Sequence, residues 1–138
     1  MKAHRNRAFT LVEILIVVII LGVLAAIVVP QFNVATEDAQ TSAIESQLQT
    51  IRGQFELFRA QQSAQVPDLV ALQWAPLVDG GYFTDAPLNP KTNSTVIVAG
   101  TGPADGGADD GWVWDSSTSK IYAALFDEDT GTWLDPGG

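Results

Sequence analysis

The chain contains no cysteine. Disulfides, thiolate metal sites and cysteine nucleophiles are therefore excluded together. It has one histidine, His4, inside the first eight residues. A chain that sheds this segment carries no imidazole, which removes the usual Ser-His-Asp logic. Bases are scarce: seven Lys and Arg face sixteen Asp and Glu, a net charge of −9 over 138 residues. Three of the seven, Lys2, Arg5 and Arg7, lie at the start, and without them four bases face sixteen acids, a net −12. A body this acidic repels phosphate backbones, so nucleic acid is not an expected partner. No convergent nucleophile, base and oxyanion donor can be named, which argues against an enzyme. The length suits one domain of ordinary size.

What is present is unevenly distributed. Phe9 to Val29 is a run of 21 residues in which Glu13 is the only charged one. As a helix rising 1.5 Å per residue it reaches about 31 Å, the thickness of a bilayer's hydrocarbon core. Lys2, Arg5 and Arg7 precede it, so the positive-inside rule keeps the N-terminus cytoplasmic and exports the rest. A cleaved secretory signal shares the basic start and apolar middle, and Ala25-Ala26 offers it small residues for cleavage. Against it, the run exceeds the usual apolar region of about 7–15 residues and holds a carboxylate in its first turn. An ionised carboxylate in a membrane helix costs about 2.5–3.5 kcal/mol at the centre and less near the interface. Glu13 therefore either snorkels to the headgroups or has a partner. Cutting the Ala8–Phe9 bond creates an α-ammonium at its depth, and that ammonium on a neighbouring copy is a natural counter-ion.

Arg7-Ala8-Phe9-Thr10-Leu11-Val12-Glu13, followed by the apolar helix, resembles the prepilin signal of type IV pilins and type II secretion pseudopilins. The resemblance implies cleavage by a prepilin peptidase between Ala8 and Phe9 and methylation of the new Phe9 amine. It also implies that Glu13 neutralises the Phe9 amine of an adjacent subunit during filament growth. Ala8 stands where the family usually has Gly; as the next smallest residue it is expected to be processed, at normal or reduced rate. Gly22 and Pro30 also match the family's pattern, whose filaments lose helix between these positions on assembly. Pro30 lacks an N–H and its ring opposes the carbonyl of Ala26, so a kink or local unwinding is expected there; the resemblance implies loss of helix over Gly22–Pro30 on assembly.

Beyond Pro30 the pattern becomes periodic. Ile44, Leu48, Ile51, Phe55 and Phe58 recur at spacings of four and three, which places them on one helical face. The stripe is short and lacks charges arranged for pairing in a coiled coil, so it is expected to cover a small sheet. Gly53 weakens this helix slightly and leaves room for another element to approach. Val66-Pro67-Asp68 ends the helix, and Asp68–Val78 predicts short helical turns interrupted by Pro76. Gly80-Gly81, Pro87 and Pro90 mark a loop. Strands are expected at Thr95–Val98, Trp112–Trp114 and Ile121–Phe126, with a hairpin turn at Ser116–Ser119 and a short last strand at Thr132–Leu134. The fold class is α+β: a long N-terminal helix packed on a small antiparallel sheet in meander order. Its expected segments are a leader at 1–8, a membrane or filament-core helix at 9–29, an amphipathic half at 30–62 and a globular head at 63–138. This head is similar in plan to the major pseudopilin of type II secretion, and Gly81-Tyr82-Phe83 with Pro87 and Pro90 resembles that family's loop between helix and sheet. The lack of cysteine fits this group better than those type IV pilins that close their C-terminal region with a disulfide.

Two acidic stretches remain. Asp105, Asp109 and Asp110 lie in Thr101–Gly111 with four glycines, and Asp127, Glu128 and Asp129 precede Gly131. Carboxylates on Gly-rich turns can surround Ca²⁺, which takes six to eight oxygens at about 2.3–2.6 Å. Related major pseudopilins carry calcium in their C-terminal loops, so the resemblance implies Asp105, Asp109, Asp110, Asp127 and Asp129 as candidate ligands; a solvated acidic turn is the plainer reading. No other cofactor is expected. Trp112 and Trp114 share one strand face and are expected in the core, while Trp74 or Trp133 is left for a subunit contact.

Together these features imply a non-enzymatic subunit with a single pass through the inner membrane, N-terminus inside and head in the periplasm. The resemblance implies assembly into a helical homopolymer, with the prepilin peptidase, an inner-membrane assembly platform, minor pseudopilins and the bilayer as partners. A pseudopilus that drives protein export is favoured; a type IV pilus subunit and an anchored binding head that never polymerises are the alternatives.

Overall fold

The computed structural model describes residues 9–135. Helix α1, Leu11–Gln61, runs for 51 residues. Thr10 starts it, because its hydroxyl accepts from the Glu13 N–H at 3.3 Å while the Glu13 carboxylate accepts from the Thr10 N–H at 2.9 Å. This reciprocal exchange is a capping box, satisfying donors that a helix start leaves orphaned. The helical backbone continues without a break through Gly22 and Pro30. It stops where Ser63 and Ala64 turn to positive φ, with the Ala64 N–H bonded to the Arg59 carbonyl at 2.8 Å.

The chain divides into two compact units, one up to Asp38 and one from Ala39 on. In the first, the described apolar side chains between Leu11 and Val29 are exposed on every face of α1. This helix has the length and apolarity needed to cross a membrane, with none of its most apolar stretch buried by the chain itself.

In the second unit α1 turns amphipathic, and Ile44, Leu48, Ile51, Phe55 and Phe58 are all buried. They pack with Trp112, Trp114, Ile97, Ile121 and Ala123 of a three-stranded sheet. Phe55 meets the edge of Trp114 at 5.0 Å between ring centroids. Helices α2 (Leu69–Leu72) and α3 (Ala75–Asp79) close one end of this core with Leu69, Trp74 and Leu77. Pro76 does not interrupt a helix; it sits in the first turn of α3, where its missing N–H costs no hydrogen bond. Gly81 takes φ +78°, and the next two N–H groups both donate to the Leu77 carbonyl. That turn sets Tyr82 edge-on to Phe58, its hydroxyl donating to Gln61 at 2.7 Å, and sets Phe83 edge-on to Trp74.

The sheet has order β1-β2-β3, formed by Ile97–Ala99, Trp112–Asp115 and Lys120–Ala123. β2 and β3 are antiparallel with Asp115 opposite Lys120, joined by the turn expected at 116–119. β1 and β2 are parallel, with Ile97 opposite Trp112, so the expected meander is corrected to a mixed sheet. A parallel pair requires a crossover of about a dozen residues, and the segment from Gly100 to Gly111 supplies it. It passes over the sheet face opposite α1, a Cβ on Gly100 falling 2.6 Å from the Val113 side chain and one on Gly106 falling 2.6 Å from Ala124 Cβ. Only glycine permits this approach. The expected strand Ile121–Phe126 is also split. Leu125 has φ +61°, and the Ala124 and Leu125 N–H groups donate to Gly111 and Pro103 instead of a ladder. Phe126–Asp127 then forms β4, paired antiparallel with β5, Thr132–Trp133. Gly53 is exposed with nothing near the position of a Cβ, so no element approaches it. Trp74 is buried with its indole N–H on the Thr95 carbonyl, and Trp133 is half-buried against Phe126.

Candidate functional site

The candidate assembly site is the start of α1. Ala8, the residue before the expected cut, lies outside the described residues, as do Lys2, His4, Arg5 and Arg7. Phe9 immediately precedes the cap and is 79% exposed. Glu13 also accepts from the Thr10 hydroxyl at 3.0 Å. The single chain thus satisfies the Glu13 carboxylate through Thr10 and leaves it at the surface of α1 in the first turn, where the helix dipole favours a negative charge. The Thr10-x-x-Glu13 spacing is legible in the sequence as a capping box; attention to the charge alone passes over it.

The acidic loops resolve into turn caps. The Asp105 carboxylate accepts from the N–H groups of Thr101 and Gly102 and from the Thr101 hydroxyl. The two backbone donors, Thr101 first, hold its pKa below the ordinary carboxylate range. Asp110 accepts from the Gly107 N–H at 2.7 Å, and Asp127 accepts from the Asp129 N–H at 2.9 Å. Asp109 is exposed. Among the described residues no three acidic or imidazole side chains converge on a position that would hold a metal ion. Calcium needs several oxygens turned to one point, and the carboxylates of Asp105, Asp110 and Asp127 turn back onto their own loops. These side chains by themselves do not gather into a calcium site among the described residues. The glycines that made Thr101–Gly111 look like an ion-binding loop sit in the crossover that packs closely on β2.

Three polar groups that sequence patterning does not single out organise the head. Asn89 is fully buried; its amide donates to the carbonyls of Gly111 and Ala124, and its oxygen accepts from the N–H groups of Lys91 and Thr92. It ties the loop before β1 to the start of β2 and the end of β3, side by side at the open end of the hairpin. Gln73 lies along the free edge of β1, accepting from the Ile97 N–H and donating to the Ile97 carbonyl. Arg52 does the same work at β3, donating to the Ile121 carbonyl and forming a two-pronged ion pair with Glu128 at 2.5 and 2.6 Å. One residue on each outer strand of the sheet is thereby engaged by a side chain, which hinders strand addition there. Asp115, the last residue of β2, accepts from the Ser117 and Thr118 hydroxyls and N–H groups of the turn. These bonds, the hydroxyls first, pull its pKa from 3.8 down to about 2.

Comparison with known proteins places these features. The family described as the prokaryotic N-terminal methylation motif matches residues 3–29. The chain is 34% identical to the type II secretion system core protein G of Klebsiella pneumoniae over 63% of this chain and 70% of that protein. It is 34% identical to the core protein G of Pseudomonas aeruginosa over 43% of this chain and 42% of that one. It is also 28% identical to a type IV narrow pilus major component of Thermus thermophilus, over 67% of this chain and 78% of that protein. No solved structure matches the chain significantly.

Proposed function

The chain belongs to the pilin-like pseudopilin family of type II secretion core protein G, whose members are structural subunits and not enzymes, and from that premise we propose that it polymerises into a pseudopilus driving protein export across the outer membrane. The observation that carries this reading is α1 from Leu11 to Val29: apolar on all faces, exposed throughout, with Glu13 as its one acid. A soluble monomer does not keep such a surface in water. Bilayer lipid covers it in storage, with the N-terminus cytoplasmic and the head periplasmic, and neighbouring helices cover it in the filament.

Prepilin peptidase removes residues 1–8 and methylates Phe9. The Phe9 ammonium of one subunit then pairs with Glu13 of the next. Because either charge buried alone is costly while a matched pair roughly breaks even, the pair checks register more than it adds net stability. An inner-membrane platform and minor pseudopilins complete the assembly. The intact mass of the chain extracted from membranes tests the first step: loss of residues 1–8 plus one methyl group is expected. A full-length mass would leave an ordinary signal anchor, and a cut after Ala26 would make the chain a secreted soluble protein.

The likeness to a type IV narrow pilus component favours a second reading, a surface pilus subunit. Deleting the chain separates the two. Loss of secreted enzymes follows from the export role, and loss of adhesion, twitching or DNA uptake from the pilus role.

A further inference from the structure

Outside the first eight residues the chain has four bases, and three of them line one cavity. Arg52 and Arg59 of α1 and Lys120 of β3 surround about 340 Å³ of space, with Phe55 at its wall and Thr118 and Ser119 of the hairpin turn at its rim. Glu56 is the one carboxylate on the lining. Arg59 pairs with it at 3.1 Å, and Arg52 is held by Glu128. The Lys120 ammonium lies over the Tyr122 ring at 4.5 Å and has no carboxylate within salt-bridge distance among the described residues. A concentration of cations, one of them without a carboxylate, on a body of net negative charge, is a site for a carboxylate-bearing partner.

The other end of the same hairpin supplies one. β2 begins directly after the Gly107–Gly111 loop and ends at the 116–119 turn. Asp105 and Asp110 are spent as caps within the crossover, whereas Asp109 is exposed and has no partner among the described residues. Asp129 is exposed as well, but it adjoins Glu128, the partner of Arg52, and so lies on the cavity side of the head and not at the other end of the hairpin. The head thus carries a cationic cavity at one end of the β2–β3 hairpin and a free carboxylate loop at the other. Two different, complementary patches on one molecule make a heterologous contact, which propagates instead of closing.

We propose that the Arg52–Arg59–Lys120 cavity receives the Asp109 loop of a second copy of this chain, forming a head-to-tail contact along the filament. The proposal rests on the polymer reading above. Because the chain has no cysteine, thiols can be placed at will. The test uses the full chain, produced with its assembly apparatus, and a short bismaleimide applied to filaments sheared from cells. The double variant D109C/K120C is expected to give a ladder of dimers, trimers and higher species, and each single variant none beyond dimers. In parallel, Asp109→Lys is expected to lower filament yield about tenfold, and adding Lys120→Asp to recover most of it. Normal filaments with no ladder, or with no rescue by the reversed pair, overturn this contact and leave the polymer standing. A cross-link from the thiol at position 120 to a different protein overturns the assignment of a second copy. Absence of filaments from the unmodified chain overturns the polymer reading and this contact with it.

Discussion

Glu13 has two roles that substitution can separate. As the third residue of α1 it completes the capping box with Thr10, a task that glutamine performs as well. As a charge it is proposed to meet the Phe9 ammonium of a neighbour, which glutamine cannot do. Glu13→Gln and Glu13→Ala are both expected to leave membrane insertion intact and to abolish assembly, measured as chain in the membrane fraction against chain in sheared filaments. Normal assembly of the glutamine variant would show that the cap, and not the charge, is what matters. Asp115 makes a different prediction. Its pKa is lowered from 3.8 to about 2 in the fold, so the stability it contributes is fully present above about pH 4 and is lost as pH falls toward 2. Asp115→Ala is therefore expected to lower the melting temperature at pH 7 and to match the unmodified head near pH 2, in thermal melts across that range.

At the scale of elements, the head depends on α1 as much as on its strands. The sheets comprise three strands of three or four residues and two of two, too short to stand without a covering layer. The buried stripe of α1 supplies that layer, so Ile51→Ala is expected to cost about 2–5 kcal/mol in denaturant unfolding. Asn89→Ala removes no apolar contact of comparable size but leaves the Gly111 and Ala124 carbonyls without that donor, for an expected loss of about 1–3 kcal/mol. Equal stability of the alanine variant would show that Asn89 is a passenger in its loop. The stripe was legible along the chain because a period near 3.6 survives any context. The direction of β1 was not. Thr95–Val98 reads as a strand whether it pairs parallel or antiparallel, and only the passage of Gly100–Gly111 over Val113 decides between them.

On the whole-molecule scale the chain joins a membrane-type helix to an acidic head. α1 is helical through Gly22 and Pro30 in the single chain, where Pro30 removes one helix hydrogen bond. Loss of helix over Gly22–Pro30 is proposed to accompany packing in the filament, and a filament density map with continuous helix there would sink it. The acidic loops bear on stability as turn caps, so chelator is expected to leave the melting temperature of the head unchanged. A rise with saturating Ca²⁺ would instead reveal a site that forms only around the ion.

Along the chain alone, the function class was already decided. Uniform apolarity over Phe9–Val29, one carboxylate at Glu13 and the basic residues before Phe9 are one-dimensional facts, and solvent and membrane act on them before any folding. The amphipathic stripe, the α+β class and the burial of Trp112 and Trp114 followed from local periodicity for the same reason. What needed the tertiary structure was everything set by residues far apart in sequence. The Gly residues of 100–111 give no local sign that the segment crosses over the sheet, and only the closeness of Gly100 and Gly106 to it shows the crossover. Arg52 finds Glu128 across 76 positions, and Gln73 finds Ile97 across 24. No local pattern records such pairings, because the partners meet only after the helix, the crossover and the hairpin have packed.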